Sequence, residues 1–269
     1  MDCSGPCSRA DFSNRRATRG VPHRSGPMPR YFQLTRKHTY SLLFVLPLLI
    51  AYEAGARMIS GRAHGLRNGA DVLLRSVLAV GGVHGTLGFT AVLAVVAILL
   101  IVRERRREKV PLQAGVFAGM MAESVVYALL FGIVVGTLTQ WLLGSWQLSG
   151  GTGVLDRLPL FDGIVLSLGA GVYEELLFRV VLVGGLLAIF LSTGVKKKSA
   201  RVYAALLAAA VFSAFHYIGP YGDQFQTWSF VFRFVSGLAL NVLFISRGFG
   251  IAAWTHALYD VFLTVTHHP

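Results

Sequence analysis

VLAVGGVHGTLGFTAVLAVVAILLIV, residues 77–102, runs for 26 positions with one histidine and no formal charge. A helix needs roughly 20 mostly apolar residues to cross the hydrocarbon core of a bilayer. This stretch is long enough and carries nothing that water must solvate. A second run, Gln113 to Gly144, contains a single charge, Glu123. Working outward from these two runs gives seven expected spans, at about Thr39–Ala56, Val77–Val102, Leu112–Leu143, Leu160–Leu191, Val202–Ile218, Ser229–Ser246 and Phe249–Thr266. The expected fold is therefore all-α: a multi-pass transmembrane helical bundle of about seven spans around a polar chamber. Composition agrees. Hydrophobic residues make up 54% of the 269 and charged residues only 14%, against about 25% charged in a soluble domain. The chain divides into a basic leader (1–38), N-terminal transmembrane helices (39–158) and a C-terminal transmembrane core (159–269). The leader is rich in Gly, Pro, Ser and Arg and reads as disordered.

The net charge of +12 is distributed as a topology signal. Eight of the 25 Lys and Arg residues precede the first span. Further clusters lie at 103–109 and 196–201. All three fall on one side of the membrane, which identifies that side as cytoplasmic and suits contact with anionic lipid. The expected location is the plasma (inner) membrane of a bacterium, with the N-terminus cytoplasmic. Arg57, Arg62, Arg67 and Arg75 fall on the opposite side and conflict with the count; a segment lying in the interface would account for them. Aromatic residues are not interleaved with base-reading side chains, so nucleic acid is not an expected partner. Cys3 and Cys7, both in the leader, make no disulfide framework.

Ionisable residues inside spans are the informative ones. Each costs roughly 2.5–3.5 kcal/mol at a helix centre, and they normally face the bundle interior. The fourth span carries Glu174, Glu175 and Arg179 within six residues. Glu175 and Arg179 are four apart and share a face. Glu174 lies about 100° round an α-helix from its neighbour and is free to address another partner. The fifth span carries Phe212 and His216, the seventh His256 and Asp260, each pair four apart. Two Glu, two His and one Asp on three helices can activate a water by general base and stabilise an oxyanion. The same set also reads as a zinc ligand group. Glu123, alone in the third span, reads as a structural residue. No His-Glu-x-x-His helix and no Gly-x-Ser-x-Gly element occurs, though Ser213 stands within the second pair.

The ordered series Glu174-Glu175-x-x-x-Arg179, Phe212-x-x-x-His216 and His256-x-x-x-Asp260 resembles the motifs of the CAAX protease and bacteriocin-processing family, also called Abi or CPBP. The resemblance covers residues 160–266 and makes 159–269 the catalytic core. It implies an intramembrane endopeptidase in which Glu174 activates water with help from His216. Glu175 and Arg179 form a supporting pair, while His256 and Asp260 line the pocket for the scissile carbonyl oxygen. Phe212 is expected to contribute to substrate binding. The family has been described both as glutamate-type and as metal-dependent. The glutamate type is favoured here, and a zinc-dependent site would use Glu174, His216, His256 and Asp260. Where the prenyl-protein branch has Asn, this chain has Asp260. An ionised Asp cannot donate to an oxyanion, so it is either protonated, a support for His256, or a cation ligand. The implied substrate is a membrane-anchored or lipidated protein cleaved near its terminus. The competing functions are a transporter or proton relay, which would spread ionisable residues through the bundle, and a non-catalytic scaffold, which would have lost a motif residue.

Overall fold

A computed structural model describes residues 27–60, 66–144, 158–219 and 222–267. The chain order is α1 (Pro27–Thr35), α2 (His38–Ser60), α3 (Gly69–Val80), α4 (Gly85–Arg107), α5 (Ala114–Leu143) and α6 (Leu160–Gly169). A π-helical segment (Ala170–Val183) follows, then α7 (Gly184–Ser192), α8 (Lys197–Phe215), α9 (Thr227–Arg247) and α10 (Phe249–His267). Among the described residues there is no strand, and the protein is a multi-pass helical bundle. Leu160–Ser192 is one continuous helix whose middle third has the wider π turn.

Among the described residues, six helices are long and apolar enough to cross a membrane, with Leu160–Ser192 counted as one. The seventh expected span exists as α10 but is not among the six. It carries His256 and Asp260 and packs against α2, α5, α6, the π segment and α9, so it is the inner helix of the bundle. By contrast, α4 buries only Phe89. Its Leu87, Ile98 and Leu99 are exposed, as a face turned to lipid requires.

Two boundaries depart from expectation. Residues 77–102 are not one helix: Val77–Val80 end α3, and the chain turns before α4 begins at Gly85. Gly82 and Gly85 have φ of +88° and +76°, a conformation that glycine alone adopts without steric cost. The expected leader is also helical from Pro27 to Thr35; its first 26 residues, like Arg62, lie outside the described residues.

Two of the basic clusters, the one ahead of α2 and the one at 103–109, are tied together. Glu104, near the end of α4, accepts from the backbone N–H of His38 (3.0 Å) and of Thr39 (2.7 Å) at the start of α2. Lys37 pairs with Glu108. Glu123 is structural, as expected: its carboxylate accepts from Arg247 at 2.5 and 2.7 Å, from Tyr31 at 2.8 Å and from Tyr127 at 2.7 Å. This locks α5 to α9.

Candidate active site

The three motif helices meet because small residues let their backbones touch. A Cβ placed on Gly171 would stand 2.5 Å from Ala257 Cβ and 2.6 Å from the Ala253 carbonyl oxygen. Glycine at 171 and alanines at 253 and 257 thus bring the π segment against α10. On the other side, Gly237 of α9 lies against Ala209 and Phe212 of α8. The π turn adds a second effect. Its i→i+5 bonding gives a wider turn and a smaller angular step than an α-helix, so the consecutive residues Glu174 and Glu175 both reach the same imidazole.

That imidazole is His256. Its Nδ1 lies 2.7 Å from Glu175 Oε1, and its Nε2 lies 4.0 Å from Glu174 Oε2 and 3.4 Å from Asp260 Oδ2. His216 sits at the C-terminal end of α8, where its Nδ1 is 2.9 Å from the Phe212 carbonyl. A carbonyl only accepts, so Nδ1 carries the proton and a neutral ring presents a bare Nε2. That Nε2 is 3.9 Å from Glu174 Oε2. Glu174 Oε2 therefore stands between two imidazole nitrogens. It is buried and has no hydrogen-bond partner, while Oε1 accepts from Asn68 Nδ2 at 2.9 Å.

Arg179 is fully buried, with Nη1 3.1 Å from Glu175 Oε1 and its guanidinium 4.5 Å above the Phe212 ring. Phe212 is buried too. It packs edge-on against Phe178 and His216 with ring centroids 5.1 and 4.9 Å away. Phe212, expected to contribute to substrate binding, also lies edge-on to His256 with ring centroids 6.2 Å apart. Ser213 is buried and donates to the Phe230 carbonyl at 2.7 Å. All of the singled-out motif residues fall in this one cluster. His216 and Asp260, with side chains 25% and 26% exposed, form its open edge.

Residues 156–262 match the family model described as Type II CAAX prenyl endopeptidase Rce1-like. Over those residues the chain is similar to the CAAX protease family. No curated protein and no solved structure matches the chain significantly. The match supports a CAAX-type membrane endopeptidase as the general class, and the matched segment contains all three motifs. What the matched segment does not contain is Asn68, which precedes it by nearly ninety residues and yet touches Glu174. Sequence reading passed over this residue. Its visible signal was an asparagine immediately ahead of an apolar helix, the signature of an N-cap.

Proposed function

We propose that Glu174 is the general base of peptide-bond hydrolysis and that the substrate is a membrane-anchored or lipidated protein cleaved near its terminus. One observation carries this reading: Glu174 Oε2 faces the Nε2 atoms of His216 and His256 at 3.9 and 4.0 Å. Those gaps are too long for direct hydrogen bonds and suit one shared water. The water gives one hydrogen to Glu174 Oε2 and the other to His216 Nε2, which leaves an oxygen lone pair for the scissile carbonyl carbon. As the oxygen attacks, its proton passes to Glu174. Collapse of the tetrahedral intermediate returns that proton to the leaving amine, so protons balance. His256, its Nδ1 turned to Glu175, offers an Nε2–H to the developing oxyanion when it carries that proton. Asp260 at 3.4 Å supports the ring rather than donating itself.

A zinc ion needs donors at about 2.0–2.2 Å, which sets tetrahedral donors about 3.3–3.6 Å apart. The Glu174–histidine separations exceed this. Among the described residues no group of three or more His, Cys, Asp or Glu side chains is arranged to hold a metal. The carboxylate mechanism is therefore preferred, and no step is routed through a metal.

The test compares protein termini in membranes of cells carrying wild type and Glu174→Gln, by mass spectrometry. Termini produced only by wild type are expected. Identical termini from equally abundant proteins would count against proteolysis. Activity of the purified protein should survive a zinc chelator; loss restored by added zinc would overturn the carboxylate mechanism.

A further inference from the structure

Asn68 uses every hydrogen-bonding group it has. Its backbone N–H donates to Tyr52 Oη at 3.2 Å. Its Oδ1 accepts from the Ala70 N–H at 2.9 Å and caps α3. That bond fixes the amide orientation, since Oδ1 must be the end that accepts. Nδ2 is then the end facing Glu174, and it donates to Oε1 at 2.9 Å. The donor from the helix cap holds Oε1, and in that orientation Oε2 faces both histidines at 3.9 and 4.0 Å.

Asn68 is itself held by a buried ionic cluster. Tyr52, its backbone partner, donates to Asp71 Oδ2 at 2.8 Å. Asp71 also accepts from Arg67 at 2.7 Å and from Arg75 at 2.5 Å. Glu53 accepts from Arg75 and from Tyr173, each at 2.7 Å. Tyr173 is the neighbour of Glu174 in the chain. The cluster therefore grips the π segment one residue before the base, and the segment ahead of α3 one residue before Glu174's donor. Two of the arginines that conflict with the charge count, Arg67 and Arg75, are members of it.

We propose that Asn68 is a positioning residue for the Glu174 carboxylate, anchored by the Glu53–Arg67–Asp71–Arg75 cluster, so that helices outside the family match complete the active site. This rests on the reading of Glu174 as the base. Asn68→Ser and Asn68→Asp both keep a good helix cap, so the fold is retained. Serine is too short to hold Glu174, and aspartate replaces the donor with a like charge. A misplaced catalytic group costs up to about a hundredfold. The expected loss in kcat is roughly 10- to 100-fold for Asn68→Ser, and greater for Asn68→Asp, with KM within about threefold of wild type.

A second readout does not depend on cleavage. In a double-mutant cycle of Asn68→Ser with Glu174→Ala, followed by thermal unfolding in detergent, the shifts should fail to add by about 2–4 °C. Coupling in a protein that cleaves nothing would retain the contact and remove the peptidase reading. Additive shifts, or wild-type kcat in Asn68→Ser, would overturn the positioning role.

Discussion

The protein buries two multi-charge clusters side by side, and they are built on opposite plans. In the cluster of Glu53, Arg67, Asp71 and Arg75, both carboxylates accept from arginines and tyrosines, and among its fully buried side-chain atoms Arg75 Nη1 alone lacks a hydrogen bond. In the cluster of Glu174, Glu175 and Arg179, one oxygen of each glutamate and all three guanidinium nitrogens lack hydrogen bonds. Buried polar groups are normally satisfied, and exceptions ask for a reason. The first cluster spends its hydrogen-bonding capacity on the fold. The second withholds capacity, and the oxygen it withholds on Glu174 is the one facing both histidines. On the reading proposed above, the saturated cluster serves the fold and the one with the deficit serves the chemistry.

Removing one charge from each cluster should separate the two plans. Glu174→Gln should lower activity by about 10²- to 10⁴-fold without lowering the unfolding temperature, because the swap keeps the size and relieves a buried charge. Asp71→Ala should destabilise by about 3–5 kcal/mol, since it removes the fully buried carboxylate that Arg67, Arg75 and Tyr52 share and leaves Glu53 to face both arginines alone. Thermal unfolding beside a cleavage assay reads both. If Asp71→Ala were neutral to stability, the contrast would fail.

A smaller effect probes how the clusters meet. Gly171→Ala must push the π segment from α10 and should cost about 1–3 kcal/mol as overpacking. Activity should fall further than stability does, because the Glu175–His256 contact opens. Activity tracking stability one for one would show that the spacing is not critical.

The least disruptive change is Glu123→Gln, which breaks the α5–α9 tie to Arg247 away from the site. It should cost about 1–2 kcal/mol of stability and leave kcat near wild type. A large kcat loss with an intact fold would move Glu123 into the functional group.

The clustering of the motif residues was legible in the sequence because its signals are local. Charges four apart on apolar helices name their own face, and Glu174, His216 and His256 needed only the bundle to bring them together. Glu123 was readable as structural because it stood alone. Asn68 was not readable as a site residue: its capping role is local, but its bond to Glu174 spans 106 positions. Arg67, Asp71 and Arg75, spaced by four, did encode a paired face, yet counting charge by sides of the membrane treats such arginines as free. The break at Gly81–Gly85 and the π turn depend on backbone geometry that hydropathy does not register, so residues 77–102 read as one span and 160–191 as a plain helix.

Gly171 has a last consequence. Where two helices meet through side chains, their separation wanders with rotamer exchange. Here main chain rests on main chain, with only alanine methyls between, and neither has a rotamer to exchange. The spacing between the π segment and α10 is thus gauged by main chain and not by side-chain rotamers.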